Sequence, residues 1–142
     1  MKFSKNIKKL KGDASLRIFY RKKNKKNSSI IVFSNNNKRS NLLNYDSINK
    51  ILLKNKVLAP MLLSKNYKKN FIEIEDFGNQ TIFNLFKKKK INKFKVYKQI
   101  IYLLNKLQSI RQKKIVNFNN KAYEIPKYTS KILEKEAKPF SE

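Results

Sequence analysis

The residues whose types and spacing suit chemistry lie in two short motifs, and each motif contains one of the two glycines in the 142-residue chain. The first motif covers residues 12–21 (GDASLRIFYR), and the second covers residues 71–78 (FIEIEDFG). A glycine kept in a sequence so poor in glycine is expected where a Cβ would obstruct the backbone. Serine and arginine stand beside Gly12, and carboxylates stand beside Gly78. The motifs therefore offer hydrogen-bond donors at one place and anionic acceptors at the other.

The tripeptide Asp76-Phe77-Gly78 has the composition of the Mg²⁺-binding tripeptide of protein kinases. In those enzymes it follows a catalytic loop with a His-Arg-Asp sequence, whereas this chain contains no histidine. We therefore interpret the tripeptide as a connector from a strand to a helix. The absence of histidine and cysteine also excludes His-based general bases, thiolate metal sites and the Ser/His or Cys/His nucleophile pairs.

The positive charge of the chain is large but carries little specific information. The formal net charge is +26, from 35 basic and 9 acidic residues. Almost all of the basic residues are lysines, and the arginines are Arg17, Arg21, Arg39 and Arg111. Lys, Asn, Ile, Phe and Tyr are the residues that AT-rich codons specify, so an AT-rich genome would account for the many lysines. Proteins that read base sequence favour arginine, which is nearly missing here. A basic nucleic-acid-binding protein stays an alternative function, with non-specific binding.

Length and composition predict one globular unit, or part of a larger one, in the cytoplasm. Hydrophobic residues make up 40% of the chain and include ten Phe and seven Tyr, which is enough to form a core. No apolar run approaches the roughly 20 residues that span a bilayer. The basic N-terminus has no apolar stretch behind it, so we predict neither a membrane span nor a signal peptide.

The first half of the chain predicts strands around one helix. Alternating apolar and polar residues predict a strand over 15–21, and a polar connection over 22–27 leads to a second strand over 30–33. Apolar residues at three- and four-residue steps predict a helix from about 40 to 54, capped by Ser40 or Asn41. Short strands are expected at 61–63 and 71–75.

The second half predicts helices only. A short helix is expected over 81–88, a linker over 87–92, and a long amphipathic helix from Phe94 to about Arg111. Residues 112–121 are predicted to be a polar loop, and a last helix is expected around 130–138. This order of elements indicates an α+β fold with two parts, residues 1–78 and residues 79–142.

Five segments, taken together, resemble a branch of the aminoglycoside phosphotransferase (kinase-like) superfamily that includes the anomeric kinases of N-acetylmuramate and N-acetylglucosamine. Residues 12–21 resemble its Gly-Asp-Ala-Ser-x-Arg-x-Tyr-x-Arg opening. The other four segments follow in the family's order: 57–62 (VLAPML), 74–81 (IEDFGNQT), 97–108 (YKQIIYLLNKLQ) and 125–142 (IPKYTSKILEKEAKPFSE).

The resemblance implies a protein-kinase-like N-lobe, an antiparallel sheet plus one helix, followed by the first helices of a helical C-lobe. It implies an ATP-dependent phosphotransferase that uses Mg²⁺ and acts on an amino sugar or related cell-wall sugar. Gly12, Ser15 and Arg17 would lie at the phosphates. The connector residues Glu75, Asp76 and Phe77 would lie at the nucleotide, with backbone atoms of Glu75 and Phe77 at the adenine.

The residues alone also allow less specific interpretations of both motifs. Without the family resemblance, the residues of the first motif favour a plain hairpin whose Arg17 and Arg21 are solvated. In the second motif, the Glu75 side chain could lie at the edge of a strand, and the Phe77 side chain could be packed in the core. A non-catalytic remnant or an interaction scaffold is a further alternative for the whole chain.

The chain also departs from the family pattern. Residues 33–36 (FSNN) stand where the family has Met-Asp-Ala-Pro at the end of the second strand. The family's His-x-Asp catalytic loop and its later metal-binding Asp would lie beyond Glu142. We therefore expect a fragment with no catalytic or metal-binding residue of its own, and hence no kinase activity from these residues alone.

The alternative of nucleic-acid binding predicts a strong salt dependence. Lysines neutralise phosphates without reading base edges, so the logarithm of the affinity should fall steeply with the logarithm of the salt concentration. Fluorescence anisotropy with labelled duplexes of two unrelated sequences measures this. A complex that prefers one sequence and survives about 0.3 M salt, where screening is strong, would support the nucleic-acid alternative instead.

Overall fold

The computed structural model describes residues 6–11, 17–25, 27–88, 91–127 and 129–137. Within these residues the chain is α+β, and its main feature is one five-stranded antiparallel sheet. The first elements are β1 (Ile7–Lys9), β2 (Arg17–Lys23), β3 (Ser28–Ser34), a 3-10 turn (Asn36–Lys38), α1 (Ser40–Lys54), β4 (Leu62–Asn66) and β5 (Phe71–Glu75). The later elements are α2 (Ile82–Lys87), α3 (Lys93–Ser109), β6 (Lys114–Val116), β7 (Ala122–Glu124) and α4 (Ser130–Ala137).

The sheet has the strand order β1-β2-β3-β5-β4. Consecutive strands are joined by hairpins except between β3 and β4, where α1 intervenes. Directly paired residues lie on the same face of a sheet, and one such row runs Arg21, Ile30, Ile74 across β2, β3 and β5. The register therefore fixes which side chains share a face.

Helix α1 packs on one face of the sheet, which we call the α1 face. Val32 and Ile72 from the strands and Leu42 from α1 are fully buried there. Residues two apart on a strand point the same way, so Ile30 and Ile74 join this core. The period of the helix and the alternation of the strands thus converge on one apolar layer.

A polar cluster occupies the opposite face of the sheet. The carboxylate of Glu73 accepts hydrogen bonds from Lys22 Nζ at 3.0 Å and from the hydroxyls of Ser29 and Ser64. Partial burial acts to raise the pKa of Glu73, but these hydrogen bonds and the charge of Lys22 hold the pKa below its ordinary value. The cluster therefore links β2, β3, β4 and β5 through charge and hydrogen bonds on this face.

The hairpin of β6 and β7 joins the second half of the chain to the core of the first half. Phe118, in the turn of this hairpin, is only 7% exposed and belongs to the apolar cluster around α1. The buried carboxylate of Asp46 on α1 accepts the Phe118 N–H at 2.8 Å, and Lys65 Nζ donates to the Phe118 carbonyl at 2.7 Å. The Tyr67 ring meets Phe118 edge-on, with 5.9 Å between centroids.

Helices α2 and α3 begin at side-chain caps but have no buried residues. Thr81 Oγ1 accepts the Asn84 N–H, and Asn92 Oδ1 accepts the Lys95 N–H, which satisfies donors that the first turn leaves unpaired. Among the described residues, every helix is too short or too polar to cross a membrane.

The α+β class, the helix over 40–54 and the strand over 71–75 are confirmed. The prediction of a polar loop over 112–121 is wrong, because β6 lies within these residues. The prediction that Ser40 or Asn41 caps α1 is also wrong, since Arg39 takes the N-terminal cap position and its side chain makes no capping hydrogen bond. Lys22 and Lys23 extend β2 rather than form the turn. Strand β1 has no predicted counterpart.

Replacing Phe118 with alanine tests whether the hairpin is part of the core. We expect the free energy of unfolding to fall by about 3–5 kcal/mol, because the substitution empties an aromatic site in a packed layer. Urea denaturation followed by circular dichroism measures the loss. The matched control is Phe83→Ala, because Phe83 is 73% exposed; it should cost less than about 0.5 kcal/mol. Equal losses would show that the hairpin does not contribute to the core.

Candidate functional site

A cleft of about 460 Å³ opens between β1, β2 and the segment that follows β5. Its lining combines three basic side chains with two amides and one aliphatic side chain: Asn6, Lys8, Leu10, Arg21, Lys23 and Asn79. An open cleft with this lining suits an anionic ligand that also has an apolar part.

The register of β1 and β2 places these basic side chains on the α1 face. Lys8 pairs directly with Arg21, and Lys23 lies two residues further along β2, so all three point the same way. Closer to the core, Leu10 packs against the apolar cluster on this same face. The face thus changes from apolar under α1 to basic at its edge.

Arg21 ties β2 to the connector after β5. Its guanidinium NH2 donates to Asp76 Oδ1 at 2.8 Å and to the Gly78 carbonyl at 3.0 Å, and its NH1 donates to Asn79 Oδ1. Its Nε lies 2.7 Å from Asp76 Oδ2, a charge contact that is not aligned as a hydrogen bond. The Arg21 side chain is 12% exposed, so the alternative of a solvated arginine is wrong at this position.

The carboxylate of Asp76 is the acceptor at the centre of this network, and only 2% of the side chain is exposed. Besides Arg21, the Ser28 hydroxyl donates to it at 2.6 Å and the Gly78 N–H at 2.9 Å. Burial acts to raise the pKa of Asp76, but the hydrogen bonds from Ser28, Arg21 and Gly78 and the charge of Arg21 hold the pKa below its ordinary value. Gly78 has φ = +82°, a backbone conformation that favours glycine.

Glu75 and Phe77 flank this carboxylate in different environments. The Glu75 N–H donates to the Met61 carbonyl at 2.9 Å, and the Glu75 carboxylate accepts the Met61 N–H at 3.3 Å. Glu75 is thus held at the strand edge beside the start of β4. Phe77 is 53% exposed, so the alternative that its side chain is packed in the core is wrong.

Arg17 lies at the other end of β2, on the same face of the sheet. Its guanidinium stacks on the Tyr45 ring of α1, 5.0 Å from the centroid. Burial raises the pKa of the Tyr45 phenol, although Arg17 and Asn49 act to lower it. A second cleft of about 280 Å³ is lined here by Arg17, Asn44, Tyr45, Ile48 and Asn49. Arg17 is half-buried rather than solvated.

The two clefts therefore share the α1 face. Arg17 and Arg21 lie four residues apart on β2, about 13 Å at the usual rise of a strand, and both point to this face. The structure brings Arg17 and Asp76 to the α1 face, where Asp76 contacts Arg21. Glu75 pairs directly with Ser29 and lies on the opposite face, and Phe77 is exposed. The predicted site residues Gly12 and Ser15 lie outside the described residues, in the segment 12–16 between β1 and β2.

Sequence reasoning missed Lys8, Lys23 and Asn79 as candidate site residues. Lys8 lies on a three-residue strand, and Lys23 lies in a lysine-rich stretch that resembled a solvated turn. The available signal for Lys23 was its spacing from Arg17 and Arg21 along β2, which places all three side chains on one face of the strand. Nothing local marks Lys8, because its place depends on the pairing of β1 with β2.

The carboxylates do not form a metal site in the part of the chain that the structure describes. No group of three or more His, Cys, Asp or Glu residues is close enough there to hold a metal ion. Asp76, the residue of the kinase-like tripeptide, is bonded to Arg21, Ser28 and Gly78 instead.

Comparisons of the chain with family models, with curated proteins and with solved structures gave no match.

Replacing Asp76 with asparagine tests the network around Arg21. We expect a loss on the order of 3 kcal/mol at pH 7, because the substitution leaves the buried guanidinium without its counter-charge. The pKa of Asp76 is lower in the folded state than in the unfolded state. Its contribution is therefore complete above the unfolded pKa of about 3.9 and is lost as the pH falls through the folded pKa.

The stability difference between wild type and Asp76→Asn should thus shrink below about pH 4, as measured by urea denaturation at a series of pH values. The contribution of Glu73 cancels, because both proteins retain it. The control is Glu124→Gln, which removes a carboxylate that is 63% exposed and should leave the pH profile of wild type unchanged. A difference between wild type and Asp76→Asn that does not vary with pH would contradict the ion pair.

Proposed function

We propose that this chain is the nucleotide-binding part of an ATP-dependent phosphotransferase with a kinase-like fold, acting on an amino sugar or related cell-wall sugar. The observation that carries the proposal is the basic cleft between β1, β2 and the connector, on the face that also bears α1. The choice of sugar rests on the resemblance of the five sequence segments and on nothing in the cleft itself.

The order of the elements supports a kinase-like arrangement. Five antiparallel strands, with one helix between the third and fourth, precede a connector, and three helices and the β6–β7 hairpin follow it. The glycine motif over 12–16 joins β1 to β2, and the connector follows β5 at the side of the sheet where Arg21 contacts it. A nucleotide on the α1 face would run from the connector towards Arg17.

The charges of the cleft support an anionic ligand. Among the described residues, Lys8 and Lys23 make no ion pair with a carboxylate, whereas Lys22 on the opposite face pairs with Glu73. Arg21 is neutralised by Asp76, so Lys8 and Lys23 supply the charge that remains. Bonds between such cations and phosphate oxygens are among the stronger hydrogen bonds in proteins.

The same residues do not support catalysis by themselves. Both described aspartates accept hydrogen bonds from the chain: Asp46 from the Phe118 N–H and Asp76 from Arg21 and Ser28. In the part of the chain that the structure describes, no group of three or more His, Cys, Asp or Glu residues could hold a metal ion. The proposal therefore assigns to these residues the binding and orientation of a nucleotide, with phosphoryl transfer dependent on a carboxylate that they do not supply.

Neutralising Lys8 and Lys23 together tests the proposal. In the double variant Lys8→Gln, Lys23→Gln, we expect the affinity for ATP to fall about tenfold or more, because one charge-assisted hydrogen bond contributes about 1.5–3 kcal/mol. Isothermal titration calorimetry with ATP at about 0.15 M salt measures the change. The matched control is Lys9→Gln, Lys25→Gln, which removes the same charge from the opposite face of β1 and from a turn.

The control should lose less than about twofold, since exposed charges outside the cleft act only through screened attraction. Equal losses in the two double variants would mean that bulk charge binds ATP, and the proposal would fail. The wild-type complex should also persist in the presence of duplex DNA. Complete displacement of ATP by DNA would favour the basic nucleic-acid-binding alternative.

A further inference from the structure

Helix α3 carries an exposed apolar seam that the proposed function does not use. The seam consists of Phe94, Tyr97, Ile101 and Leu104, whose exposed fractions are 79%, 55%, 59% and 50%. Their spacing of three, four and three residues is that of the a and d positions of a heptad, and it places them on one line along the helix. Such a narrow line is the pattern of a helix that packs against another helix.

The rest of the described chain leaves most of this seam uncovered. No residue of the 17-residue helix is buried. Its described contacts include the Tyr97 ring beside Phe86, with 5.7 Å between centroids, and Lys106 Nζ donating to the Lys56 carbonyl at 2.7 Å. Helices in proteins derive most of their stability from packing of an apolar face. The seam therefore has the composition of a packed surface without the packing.

The charges around the seam are positive, which indicates a negatively charged partner. The ionisable side chains of α3 other than tyrosine are Lys93, Lys95, Lys98 and Lys106. No Asp or Glu occurs between Asp76 and Glu124. Lys98 lies beside the seam, one residue after Tyr97, at a position from which a side chain reaches the flank of a neighbouring helix. A partner with carboxylates along its flanks matches this charge.

We propose that the seam on α3 binds an acidic amphipathic α-helix of another polypeptide. The apolar residues of the partner would pack between Phe94, Tyr97, Ile101 and Leu104. Its carboxylates would face Lys93 and Lys98, the lysines that flank the seam. A second copy of this chain fits less well, because two helices that carry only lysines repel each other and each chain has a net charge of +26.

A defined peptide tests the proposal with the full chain. The probe is a fluorescein-labelled 21-residue peptide with Leu at the a and d positions and Glu at the e and g positions. We expect it to bind at about 0.15 M salt, as measured by fluorescence anisotropy, and to gain helicity in circular dichroism. Ile101→Glu should weaken binding at least tenfold, because it places a carboxylate in the seam opposite the partner's apolar side chains.

The matched control is Tyr102→Glu, one residue further along α3 and off the seam. Tyr102 is 71% exposed, so the control adds the same negative charge to the helix and should change binding less than threefold. Leu104→Ser is a second seam variant with no added charge, and it should also weaken binding at least tenfold. Circular dichroism and urea denaturation check that each variant folds as wild type does.

Four outcomes would overturn the proposal. Ile101→Glu or Leu104→Ser could fold and bind like wild type. A peptide with the same Glu residues but Ser at the a and d positions could bind equally, which would make bulk charge responsible. Vesicles of phosphatidylserine and phosphatidylcholine could bind the chain through the seam while the peptide does not, which would indicate a lipid surface. Sedimentation could show a dimer that Ile101→Glu disperses, which would indicate a second copy of the chain.

Discussion

The buried ion pair between Arg21 and Asp76 is the constraint on which the cleft depends. It joins the middle of β2 to the first residue after β5, two elements that are not neighbours in the sheet. Ser28 and the backbone of Gly78 complete the hydrogen bonds of the carboxylate. A charge buried this deeply is tolerated only when it is paired and hydrogen-bonded. The connector is therefore fixed against β2, and the cleft between them has a defined wall.

A second buried carboxylate fixes part of the second half of the chain against the first half. Asp46 on α1 accepts the Phe118 N–H and also pairs with Lys50 at 3.1 Å. It thereby positions the hairpin of β6 and β7 against α1, where Phe118 completes the apolar cluster. In a chain with few acidic residues and many lysines, these two aspartates have structural partners, which separates them from the solvated charges around them. The composition alone could not reveal this difference.

Local patterns predicted the elements that have a long, clear period. Helix α1 and strand β5 were predicted at their observed bounds because the apolar residues of each follow one periodicity over the whole element. Strands β1, β6 and β7 have three residues each, too few for a period, and they exist because a neighbouring strand supplies their hydrogen bonds. The motif residues Arg17 and Asp76 were identified, but the contact of Asp76 with Arg21 spans 55 residues and follows from the register of the sheet.

The lysines of β1 have a role that is separate from ligand binding. Strand β1 is one edge of the sheet, and an edge presents unpaired backbone groups to which another chain can add a strand. Short length and lysine side chains are the means by which proteins block such addition, and β1 has both in Ile7-Lys8-Lys9. At the opposite edge, β4 carries Lys65 and an irregularity between Leu62 and Ser64. Both edges thus carry features that disfavour the addition of a strand from another chain.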